Sequence, residues 1–234
     1  MELGPIPEYL KPVMRKRFLA GLKNSHSLDT YELDLFRWFR TETEATWAQM
    51  DSEERQYIQE QVDSGIEEVN DSGILATDYY RKRMRSSNII FLASLLESAM
   101  KRECERVCLA LGDDILFKPS DLKGDPWVIR KVFLEKYGSF QIPDNLWDPI
   151  KKLLALRNAF AHHNGEVSLL TKEQISTFGK ITGVDLSSSD ISIHVSYIDS
   201  ASDSVHEIME FLHKKINLVI DRAISQKTVP AGAV

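Results

Sequence analysis

Apolar residues recur along most of this chain at intervals of three and four, the repeat of helices that bury one face. The clearest run is Ile89, Leu92, Leu96, Met100, Cys104, Val107 and Leu111, ending at Gly112. Phe91 and Leu95 add a second apolar side, as expected of a helix deep in a bundle. Upstream, residues 1–28 carry three prolines and a short amphipathic segment from about residue 8 to 22. Asp29 with Glu32 then has the form of a capping box and opens a helix toward Met50. Its Leu33, Phe36, Trp38, Phe39 and Trp47 read as core or interface residues rather than base-stacking platforms. Asp51 and Glu54 suggest a further cap before the stripe Ile58, Val62, Ile66 and Val69, and residues 71–73 mark a break or a bend.

Downstream of a loop over 112–124, Asp125-Pro126 predicts an N-cap followed by proline at the first helical position, with the helix stopping at Gly138. Asp148-Pro149 starts the next helix, preceded by one turn from Asp144. Past residue 165 the long periodicity is lost. A short helix is expected over 171–179, and Ile191, Ile193, Val195 and Tyr197 alternate with polar residues as a half-buried strand that pairs with 184–186. A long helix over about 200–225 carries Val205, Ile208, Leu212, Ile216, Val219, Ile220 and Ala223 on one side. The expectation is a mainly α protein, a helical bundle with a small β-hairpin before its last helix. Residues 1–50 would form an N-terminal helical extension, 51–226 the bundle and 227–234 a disordered tail.

With 234 residues, 43% hydrophobic and 27% charged, the chain has the make-up of a soluble globular protein with a substantial core. No apolar run is long enough to cross a bilayer, and residues 1–10 lack a signal peptide's charged and apolar regions. Cys104 and Cys108 lie four apart on one helix, which suits two reduced core thiols better than a bridge or a zinc site. A cytoplasmic protein is expected. The net charge of −6 argues against broad coating of nucleic acid, because phosphate affinity comes from Lys and Arg.

The chemistry gathers in residues 153–165, LLALRNAFAHHNG. Leu146, Ile150, Leu153, Leu154 and Ala161 form an apolar stripe that Arg157 joins, and a core-facing guanidinium is costly unless paired. Asn158 and His162, four apart, share the neighbouring face with Lys151 and Ala155. Asn164-Gly165 stops the helix, leaving His162 and His163 in its last turn. A cation, an amide and imidazoles along one groove suit phosphate chemistry. RNA carries its own 2′-hydroxyl nucleophile, so a catalyst need only move protons and stabilise a phosphorane. Imidazole, with an ordinary pKa of about 6.5, suits the first task and a bidentate guanidinium the second. The bland alternative is that Arg157 and His162 satisfy carboxylates or carbonyls inside a bundle.

Arg157-Asn158-Ala159-Phe160-Ala161-His162 resembles the Arg-polar-x-x-x-His signature of the HEPN superfamily (higher eukaryotes and prokaryotes nucleotide-binding). The resemblance covers roughly residues 75–226 and implies a helical bundle. It also implies a metal-independent endoribonuclease, a toxin or defence effector, leaving a 2′,3′-cyclic phosphate and a 5′-hydroxyl. In the family, two copies of the motif line one dimer cleft. That arrangement would answer a geometric difficulty here, because Arg157 and His162 are separated by about 7.5 Å of rise and about 140° of rotation. The implied catalytic residues are Arg157, Asn158 and His162. Family toxins with nucleotidyltransferase partners carry a tyrosine two residues after the histidine, where this chain has Asn164, so regulation by adenylylation at that position is not implied.

Around this motif, His163, Lys151, Arg81 and Arg85 are candidate substrate contacts. Glu97 stands open between a solvent edge and a salt bridge to Arg157, and Ser94 reads as structural. His206, Glu210 and His213 have metal-like spacing, but they oppose the apolar side of the last helix and read as a solvated face. No cofactor or metal is implied. The expected partners are RNA, a second copy of the chain and an antitoxin or other regulatory protein, with no membrane. The alternative is a catalytically silent HEPN-like module that binds nucleotide, RNA or a protein.

Overall fold

The computed structural model of the chain describes residues 11–23, 27–66, 71–187 and 189–226. Among these the protein is mainly helical, with seven α-helices and one two-stranded antiparallel hairpin before the last helix. The helices are α1 (Lys11–Leu22), α2 (Ser27–Asp63), α3 (Ser72–Leu111), α4 (Pro126–Gly138), α5 (Asp144–His163), α6 (Lys172–Phe178) and α7 (Val195–Gln226). Strands β1 (Val184–Leu186) and β2 (Ile191–Ile193) pair Val184 with Ile193 and Leu186 with Ile191. The expected tail 227–234 and the first ten residues lie outside the described residues, as does the Asp29 side chain.

Two helices expected over 29–69 are one continuous α2, so the domain boundary expected at residue 50 falls inside a helix. The reason is local. Asp51 does not cap; its carboxylate accepts from Arg55 Nε at 3.1 Å, four residues on. Gln49–Glu53, Gln56–Glu60 and Gln59–Asp63 continue the same i,i+4 pattern, which supports uninterrupted helix on an exposed surface.

The chain divides into two compact units. One comprises residues 1–30, 95–147 and 206–234. Its buried residues include Leu96, Met100, Cys104 and Val107 of α3, Phe133 and Leu134 of α4, and Ile208, Leu212, Ile216, Val219 and Ile220 of α7. Asp125 caps α4 as the sequence predicts, accepting from the backbone N–H groups of Trp127 (2.7 Å) and Val128 (3.2 Å). Ser139, at φ 56°, ends that helix.

The other unit comprises residues 31–94 and 148–205. Its core is built from Leu33, Phe36, Ile89, Leu92, Ile150, Leu153, Leu156, Phe160, Phe178, Ile191, Ile193 and Ile198. Trp38 and Phe39 are exposed, so α2 buries only part of its aromatic content. The strand expected to reach Tyr197 ends at Ile193. There His194 N–H bonds to Gly183 O at 2.8 Å, and Tyr197 N–H bonds back to His194 O at 3.1 Å, starting α7. Val195 and Tyr197 therefore belong to a helix whose buried side is Tyr197, Ile198, Ala201 and Val205. No helix among the described residues is long and apolar enough to cross a membrane.

Candidate functional site

Helix α5 carries the predicted motif at its C-terminal end. Its buried residues in this unit are Ile150, Leu153, Leu156, Ala159 and Phe160, which moves the stripe away from the one expected. Ala161 is exposed and Leu154 half-buried, so Arg157 flanks the core instead of facing it. The correction follows from helical geometry: Leu156 and Phe160 together outweigh Ala161 in apolar area, and the helix turns them inward. Arg157 is half-buried, Asn158 and His162 are exposed, and His163 is half-buried.

The helix end is firmly closed. Asn164 N–H bonds to Phe160 O at 3.1 Å and Gly165 N–H to Ala159 O at 3.2 Å, with φ of 54° and 77° at the two residues. The following chain is pinned to the hairpin by Ile191 N–H to Gly165 O and Val167 N–H to Ser189 O, both at 2.8 Å. The last turn thus stands on a fixed base.

Arg157 Nη1 donates to Asn158 Oδ1 at 3.0 Å. Among the described residues no carboxylate pairs with Arg157, and neither His162 nor His163 has a side-chain hydrogen bond. Asn158 is therefore held by the guanidinium and does not orient the His162 ring. Among the described residues no hydrogen bond links Arg157 to His162.

The other predicted residues fare differently. Arg85 grips Glu44 with Nε and Nη2, each at 2.7 Å, and donates Nη1 to Ile193 O at 3.2 Å. Arg81 donates to Trp47 O at 2.9 Å and lies 3.8 Å from Asp78. Both expected substrate contacts are thus engaged within the fold, Arg85 by a carboxylate and Arg81 by a backbone carbonyl. Glu97, open between a solvent edge and Arg157, accepts instead from Arg130 of α4 at 3.1 Å. Ser94 donates to Ile90 O at 2.9 Å, a structural bond. Lys151 remains exposed and pairs with Asp148 at 2.6 Å.

Tyr79, Lys82 and Arg83 lie beside the end of the motif helix. Together with Phe160, Asn164 and Asp190 they line a cleft of about 230 Å³ at the end of α5. Arg83 Nη1 donates to the Asn164 side-chain oxygen, and its guanidinium lies 5.3 Å from the centre of the Tyr79 ring. Tyr79 is half exposed. Helical spacing holds the signal that separates them: 79, 82, 83 and 86 share one face, whereas 81 and 85 share another.

The His206, Glu210 and His213 set does not act together. His213 turns into a polar cluster in which Arg106 contacts Glu103 at 2.7 Å and His213 Nδ1 at 3.0 Å, while Glu210 lies 3.5 Å from Lys214. In comparisons with protein-family models, curated proteins and solved structures, nothing matches the chain.

Proposed function

We propose that this protein is a metal-independent endoribonuclease of HEPN type, acting as a toxin or defence effector on RNA. The carrying observation is the state of Arg157. A half-buried guanidinium in a chain rich in acids has no carboxylate partner among the described residues, and one neighbouring amide oxygen engages one of its five donors. The remaining donors are free for a phosphate, and their bonds strengthen as charge builds up on a phosphorane. His162, exposed one turn further on without a hydrogen-bond partner, supplies the proton-transfer group. Two such helix ends facing across a two-fold axis complete the site, because a single copy leaves arginine and imidazole apart. Tyr79, Lys82 and Arg83 offer a stacking ring and cations to the RNA beside the helix end. His163 and Lys151 border the same helix. The two free cysteines suit a reducing, cytoplasmic setting.

The test is labelled RNA with excess EDTA, comparing wild type with His162→Ala and Arg157→Ala. Wild type cuts to cyclic-phosphate ends, and each variant loses roughly 100-fold or more in rate. Equal cleavage by the variants, or abolition by EDTA, refutes the reading. RNA binding without cleavage favours the silent module.

A further inference from the structure

A second polar cleft lies elsewhere in the same unit, formed by α5, the loop after α6 and the first turns of α7, with a volume of about 230 Å³. Lys152 and Lys180 flank it, and Thr182, Tyr197, Ser200 and Ser204 contribute hydroxyls. In a chain with 35 acidic residues, no aspartate or glutamate lines this cleft. Both lysines are exposed, and neither ammonium group has an ion-pair or hydrogen-bond partner among the described residues.

Tyr197 is the informative member. It is 8% exposed, yet among the described residues its hydroxyl bonds to no protein group. The ring is buried while the hydroxyl is not cut off from solvent, and the residue lines the cleft, so the hydroxyl is open to a ligand there. Burial also pushes its pKa up, which keeps the proton on the oxygen as a donor. Ser204 Oγ spends its own hydrogen on Ser200 O at 2.8 Å, so the available donors are the two ammonium groups, Tyr197, Ser200 and Thr182. Two cations and three hydroxyl donors without an acid form a site for an oxyanion. Its volume is below the about 300–1,000 Å³ of pockets that enclose drug-sized ligands, which suits one charged head group.

We propose that this cleft binds a phosphomonoester dianion. The charge count selects it: a monoester carries close to two negative charges at neutral pH and balances both lysines, whereas a backbone diester carries one. The source is a small nucleotide or a 5′-phosphorylated RNA end, which present the same group. Lys152 and Arg157 differ by about 140° around α5, so this site is separate from the proposed nuclease site and does not depend on it.

The experiment is calorimetric titration at constant ionic strength, carried out on full-length Arg157→Ala protein so that no phosphate taken up by that arginine is counted. Inorganic phosphate and adenosine 5′-monophosphate should each bind saturably, one per chain, and dimethyl phosphate at least tenfold more weakly. Lys152→Ala and Lys180→Ala should each weaken binding by about tenfold, as the loss of one charge-assisted bond implies. Tyr197→Phe keeps the buried ring and should weaken it by about threefold, with thermal melting of each variant reporting that the fold is kept. Tighter binding of the nucleotide, or of a 5′-phosphorylated oligonucleotide over its 5′-hydroxyl twin, assigns the source. Absence of saturable phosphate binding overturns the proposal. So do lysine variants that bind like their parent, or a 5′-hydroxyl oligonucleotide that binds the cleft as tightly as the phosphorylated one.

Discussion

Replacing Glu44 by alanine tests whether Arg85 belongs to the scaffold. The two side chains are 19% and 20% exposed and share two bonds of 2.7 Å, so the pair sits mostly out of water. Removing the carboxylate strands the guanidinium with one remaining bond, 3.2 Å to Ile193 O. Breaking a fully buried pair costs about 3–5 kcal/mol. One-fifth exposure lets water reach the stranded charge, which reduces the expected loss to about 2–3 kcal/mol. For a chain of this size that lowers Tm by roughly 5–10 °C. The assay is thermal melting of Glu44→Ala, Arg85→Met and the Glu44→Leu/Arg85→Met double variant. The double variant should melt above the sum of the singles, because no charge is left unpaired. If Glu44→Ala melts within about 1 °C of wild type, the scaffold role fails. It also fails if Arg85→Met weakens RNA binding while leaving Tm unchanged.

Gly165→Ala places a Cβ 2.8 Å from the Phe160 ring at a φ of 77°, and should cost about 2–3 kcal/mol in melting, with loss of cleavage following from a displaced helix end. Burial holds the Cys104 thiol up to about 12 against an ordinary 9.0, so the unfolded chain loses its proton first and stability falls as pH rises above 9; Cys104→Ala should flatten that alkaline loss in pH-dependent melting. Cys108 is half-buried with its pKa also raised by burial, so thiol titration of the native protein at pH 8 should be slow and should complete only on unfolding. Arg157→Met should leave Tm unchanged or raise it while abolishing cleavage, and a fall of more than about 5 °C would mark the arginine as structural.

Most helices were legible because their apolar stripes are long. The run from Ile89 to Val107 is buried throughout, as is the stripe from Val205 to Ala223. Where reading failed, two local signals competed. Asp51 and Glu54 look like a cap, but a capping carboxylate and an i,i+4 partner are the same residue type, and Arg55 decides for the second. Alternation over Ile191–Tyr197 resembles a strand, yet Tyr197, Ile198 and Ala201 also satisfy a helix, and the bond from His194 to Gly183 ends the ladder. In the candidate site, Arg157, Asn158 and His162 were visible from spacing alone. The fate of Arg81 and Arg85 was not, because it depends on Glu44 and Trp47, far away in the chain.

Arg157, like Arg83, differs from most half-buried arginines among the described residues in having no carboxylate partner. Arg37 faces Asp203, Arg40 faces Asp199, Arg85 faces Glu44, Arg106 faces Glu103 and Arg130 faces Glu97, each at 3.1 Å or less. Acids outnumber bases 35 to 29, so scarcity does not explain a half-buried guanidinium that lacks one. Its remaining donors face solvent, so an arriving anion can take them without displacing a protein partner. Lys152 and Lys180 are exposed, and no aspartate or glutamate lines the cleft between them. At Arg157 and at this cleft a cation stands without a paired carboxylate among the described residues, and an anion arriving at either meets unspent hydrogen-bond donors.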